Sequence, residues 1–85
     1  MPELARFYGI LIAMYWRDHN PPHFHAFYGG KEAVLDLDGN LLEGGLPRRA
    51  QSMVSEWMSL HRSELMDNWE RAVRREPLNP ISPLE

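Results

Sequence analysis

Apolar residues in this chain alternate at every second position through residues 23–37, then recur at every third or fourth position after Pro47. That change of period constrains the fold most, because a two-residue period builds strands and a period near 3.6 builds helix. "HFHAFY", His23 to Tyr28, puts His23, His25 and Phe27 on one strand face and Phe24, Ala26 and Tyr28 on the other. "GGK" at Gly29 to Lys31 marks a tight turn, and "EAVLDLDGN" continues the alternation to a second turn at Asp38-Gly39-Asn40. Before them, "GILIAMYWR", Gly9 to Arg17, is apolar on both parities, as in a central strand; "LLEG" after the second turn adds a short fourth strand. Short connections of this kind predict an antiparallel meander of three or four strands over about residues 9–44.

Pro47 suits the first turn of a helix, and Ala50, Met53, Val54, Trp57, Leu60 or His61, Leu65, Trp69, Ala72 and Val73 form one apolar stripe beyond it. A single helix from Pro47 to Arg75 would run about 43 Å, against about 27 Å for an eight-residue strand. The spacing therefore predicts a long helix with a bend, or two helices, broken near His61 to Ser63, with Ser63 as a cap. His61 is expected to mark that boundary or an interface. Residues 76–85 hold three prolines and are expected to be an extended tail, which Leu78, Ile81 and Leu84 can fix to the body or to a partner. The whole chain of 85 residues makes one α+β domain, with the helical part packed on one face of the sheet.

Composition narrows the chemistry. There is no cysteine, so disulfides and thiolate metal sites are out, and a bound metal would need imidazole, carboxylate or water. The apolar run near the N-terminus stops at Arg17, too short for a bilayer span, and nothing reads as a signal peptide; a cytoplasmic protein is expected. The net charge of -3 argues against broad electrostatic binding of nucleic acid. Any phosphate-facing surface is local, and Arg48 and Arg49 after Pro47 are its best candidates, although a solvated helix start explains them equally well. Phosphate-cradling loops, dinucleotide-binding glycine patterns and nucleophile elbows are all missing.

"DHNPPHFH", Asp18 to His25, gathers three of the four histidines around two adjacent prolines. Three readings compete. In the first, His23 and His25 form an acid/base pair, with His19 or Asp18 orienting one of them. Arg17, Arg48 or Arg49 would bind phosphate, and Tyr15, Trp16, Phe24 and Tyr28 would stack bases; these groups suffice for metal-free RNA cleavage by its own 2′-hydroxyl. In the second, His19, His23 and His25 hold a divalent, zinc-like metal. In the third, the imidazoles serve local hydrogen bonds near a rigid turn. Three imidazoles in seven residues exceed what local folding needs, which favours a functional segment.

The runs "FYGI", "MY", "DHNPPHFH", "YG" and "LEGGLPRR", with "EW", "LH" and "ELMDNW" later, resemble the small bacterial and cyanobacterial proteins of the domain-of-unknown-function family DUF4160. The resemblance covers Arg6 to about Leu84. It places the family signature on Asp18, His19, Pro21, Pro22, His23, Phe24 and His25, then Gly44, Leu46, Pro47 and Arg49. It implies a tiny cytoplasmic protein, often encoded beside another small protein, and hence a component of a toxin-antitoxin-like module with a cognate partner protein. An RNA-directed toxin is the leading expectation. The rival is a noncatalytic antitoxin or adaptor that holds a partner through its sheet edge, helix and tail, with Trp57, Met58 and Trp69 facing outward, and a homodimer is compatible with either.

Overall fold

A computed structural model describes residues 3–16 and 19–85. Five strands precede two helices: β1 (Glu3–Phe7), β2 (Ile10–Ala13), β3 (His23–Tyr28), β4 (Lys31–Asp36), β5 (Leu41–Gly44), α1 (Arg48–Leu60) and α2 (Arg62–Val73). The sheet order β1-β2-β3-β4-β5 is the chain order, and every pairing is antiparallel, so the expected meander holds. It has one more strand than expected, because Glu3–Phe7 also pairs. Leu4, Ala5 and Phe7 are buried there, and a two-residue turn at Tyr8-Gly9 sets Phe7 opposite Ile10. The paired part of the next strand is correspondingly short, ending at Ala13 rather than running on toward Arg17.

The helices cover the sheet face that carries Ile12, Phe24, Ala26, Ala33 and Leu35, and Trp57, Val54, Leu65 and Ala50 complete this core. Trp57, Met58 and Trp69 are therefore buried in the body, which corrects the expectation that they face a partner. The break falls at His61, as expected: it ends α1, begins α2, and its Nδ1 lies 2.6 Å from Glu64 Oε1. Ser63 is inside α2 and is not its cap, and Pro47 precedes α1 rather than opening it. Leu60 and Val73 fall off the apolar stripe and are exposed.

The tail folds back on the body. The Ile81 amide donates to the Leu4 carbonyl at 2.9 Å, and Ile81 is buried. Asn68, buried on α2, donates through Nδ2 to the Asn79 carbonyl and accepts from the Asn79 amide, at 2.9 and 2.8 Å. A primary amide at this position satisfies both a donor and an acceptor of the tail, which no aliphatic side chain can do.

The turn after β4 is held by Asp36, whose carboxylate accepts from the Asp38 and Asn40 amides and from Asn40 Nδ2 at 2.8–2.9 Å. Burial raises the Asp36 pKa, but the bonds from the Asn40 side chain and the Asn40, Asp38 and Gly39 amides outweigh it, so the carboxyl sits below its ordinary value. A lowered folded value means stability that is complete above the unfolded pKa of about 3.9 and is lost as pH falls through the folded one. Asp36→Asn is expected to cost about 1 kcal/mol at pH 7, modest because the group is near solvent. Urea titrations of both proteins at pH 7 and pH 2.5 check this, since the gap must narrow at the lower pH.

Candidate functional site: a histidine cleft beside the sheet edge

Strand alternation sends His23, His25 and Phe27 to the face opposite the core. Their cross-strand partners Asp36, Val34 and Glu32 on β4 share that face. His25 Nδ1 lies 2.7 Å from Glu32 Oε2, a diagonal pair across the β3–β4 hairpin. His23 Nδ1 lies 2.7 Å from the Pro21 carbonyl. A carbonyl only accepts, so Nδ1 of His23 carries the proton, and a neutral ring then has its basic lone pair on Nε2. The carboxylate of Glu32 favours the same tautomer in His25.

His19 and Pro21, ahead of β3, border this face, and the Asn20–Pro21 peptide bond is cis. The ring of exposed His19 comes 5.5 Å from that of His23, which in turn stands 5.4 Å from that of His25. Tyr15 meets His25 edge-on at 4.5 Å, and Trp69 of α2 packs on His23 at 5.2 Å. The result is a cleft of about 370 Å³: His19 and Pro21 form one wall, Leu42 and Glu43 of β5 the other, with His23, His25 and Val34 between them.

The structure thus brings together His19, His23 and His25. It does not bring the described arginines to them. Arg49 and Tyr28 line a different hollow, beside Tyr8 and Met53, and Arg48 lines a third one beside Leu41 and Gln51. Phe24 is core and meets Trp57 edge-on rather than stacking on a ligand, whereas Trp16 is exposed and donates from Nε1 to the Glu76 carbonyl at 3.0 Å. Arg17 and Asp18 lie outside the described residues. Among the described residues no three His, Asp or Glu side chains are arranged to hold a metal ion, and Asp18, the carboxylate of the same segment, lies outside them.

Glu32 is the site residue that the sequence reading overlooked, although the signal was present. A two-residue turn at Gly29-Gly30 pairs Tyr28 with Lys31 and Phe27 with Glu32, and period-two alternation then puts Glu32 on the histidine face. Glu43 was missed for lack of any such marker.

No helix among the described residues is long and apolar enough to cross a membrane. No curated protein and no solved structure matches the chain. A family model described as a domain of unknown function, DUF4160, matches residues 9–70, which takes in β2 through most of α2 and every described member of the histidine cleft. The chain belongs to the DUF4160 family.

Proposed function

We propose that the cleft is an acid/base centre and that the chain is the RNA-directed effector of a toxin-antitoxin-like pair. One observation carries the reading: two adjacent imidazoles on one strand are each fixed through Nδ1 to an oxygen, beside a third imidazole at the rim. Fixing Nδ1 selects the tautomer and aims the ring, the arrangement general acid/base catalysis requires. One imidazole of the His23–His25 pair takes the 2′-hydroxyl proton as that oxygen attacks phosphorus. The other, protonated, gives a proton to the departing 5′-oxygen. Glu32 and the Pro21 carbonyl orient the two rings, and imidazolium supplies positive charge inside a cleft whose described lining holds no Lys or Arg.

The test is growth after induction of the wild-type chain beside a His23→Ala/His25→Ala chain matched in expression and solubility, followed by RNA profiling. Arrest by the wild type alone, with cleaved transcripts, is expected. Purified double variant is expected to cleave about 10²–10⁴-fold more slowly, the usual contribution of general acid/base groups. Absence of arrest with intact RNA across a broad panel would abandon the enzymatic reading.

The second reading, a noncatalytic module that holds a partner protein, is favoured by β5. This strand ends the sheet, and its Leu41 and Leu42 are 51% and 45% exposed, a combination suited to accepting another strand. Stable one-to-one copurification with the product of a neighbouring gene, unchanged by His23→Ala, would select it.

A further inference from the structure

The β1–β2 turn contains a residue that its backbone does not want. Tyr8 and Gly9 both have positive φ, 49° and 80°, in a two-residue hairpin loop. Such loops favour Asn-Gly or Gly-Gly, and a bulky aromatic in the left-handed region is strained. Packing does not explain the choice, because Tyr8 is 61% exposed. A strained, exposed aromatic in place of a better turn former marks a functional position.

Tyr8 lines a hollow of about 570 Å³ with Tyr28, Arg49, Met53 and Glu56, within the range of small-ligand sites. The Tyr28 ring rests against Gly9, where even a methyl group would stand 3.3 Å from it. Arg49 makes no ion pair among the described residues. Tyr28 and His23 end β3 at opposite tips and alternate to opposite faces, so this hollow is separate from the histidine cleft, about 17 Å along the strand. Two phenol rings, an uncommitted guanidinium and the carboxylates of Glu56 and Glu85 match the three chemistries of one nucleotide, a flat base to stack, a phosphate for Arg49, and base-edge N–H donors for the carboxylates.

We propose that the hollow between Tyr8, Tyr28 and Arg49 binds an unpaired nucleotide, stacking the base on the tyrosines and pairing the phosphate with Arg49. The choice of RNA as its source rests on the RNA-directed reading above; the site chemistry does not. A strand held here is anchored at a distance from the acid/base cleft, which would make cleavage depend on the length of the RNA.

The test is binding without cleavage, followed by aromatic NMR resonances and by fluorescence. One arm uses uridine and guanosine monophosphates; the other uses a 2′-methoxy tetranucleotide, which lacks the attacking hydroxyl. Either ligand shifting the Tyr8 and Tyr28 ring signals saturably supports the site, and preference for the tetranucleotide makes RNA the source. Tyr8→Asn is expected to weaken binding about tenfold while leaving the melting temperature unchanged or raised, and Tyr8→Phe to retain it. Arg49→Gln should weaken binding and flatten its salt dependence. The inference is overturned if neither ligand moves the rings, if Tyr8→Asn binds as the wild type does, or if a proline-rich peptide binds more tightly than either nucleotide ligand. Because no bond is cleaved in this assay, growth arrest that survives a negative result leaves the acid/base reading standing.

Discussion

Trp57→Ala removes about 3–5 kcal/mol of stability and leaves much of the protein unfolded at 37 °C. The indole is fully buried, with its ring 5.6 Å from Phe7, 6.1 Å from Phe24 and 5.4 Å from His61, so it joins β1, β3 and the helix break in one contact set. Truncation loses the transfer energy of the largest core side chain and leaves a cavity that strands on one side and helices on the other cannot both collapse to fill. It also removes the 2.8 Å bond from Nε1 to the Ser82 carbonyl and so loosens the tail. Total stabilities of small domains are about 5–15 kcal/mol, and a chain of this length belongs near the lower end. Trp57→Phe is milder: it keeps a six-membered ring in the core, loses the Ser82 bond together with the contacts of the five-membered ring, and should cost about 1–3 kcal/mol. Urea denaturation followed by circular dichroism checks both, and equal losses in the two variants would refute the packing argument.

Gly44→Ala is the second large effect, expected at about 2–4 kcal/mol. Gly44 has φ of 69°, and a methyl group there would fall on the Glu32 carbonyl oxygen, which already accepts from the Gly45 amide at 2.9 Å. Backbone strain and a steric clash with a main-chain atom add, and neither is relieved by rotating a side chain. The residue pushed aside is the one whose carboxylate meets His25, so the damage reaches the cleft. Thermal melting is expected to drop sharply, and the His25 ring resonances to broaden or shift, whereas Gly45→Ala, with only Leu41 near its missing methyl, should do little. A melting temperature within a degree or two of wild type would show that β5 slides away without cost.

Much of this architecture is legible in the residues themselves. Strict alternation through His23–Tyr28 and the paired glycines after it fix a hairpin, and the three-and-four spacing from Ala50 to Ala72 fixes the helices and their break at His61. β1 escapes because "ELARF" mixes charge with small apolar residues and owes its pairing to an unusual turn at Tyr8. The separation of Arg48 and Arg49 from the histidines follows from chain geometry that no local pattern reveals: α1 leaves β5 across the core face, while alternation turns His23 and His25 the other way. Asn68 looks like any polar residue on a helix until the tail lies against it. The tryptophan at position 57 was ambiguous because an amphipathic stripe fits a core and a partner equally well; the sheet had no other cover.

A sheet laid down in chain order lends itself to assembly during synthesis. Each strand from β2 onward meets a neighbour already made, and hairpins of this kind zip in microseconds, far faster than residues are added. Leu4 is the exception. Its carbonyl accepts from the Ile81 amide, which follows both helices in the chain, so β1 is fully secured only after α1 and α2 have been made.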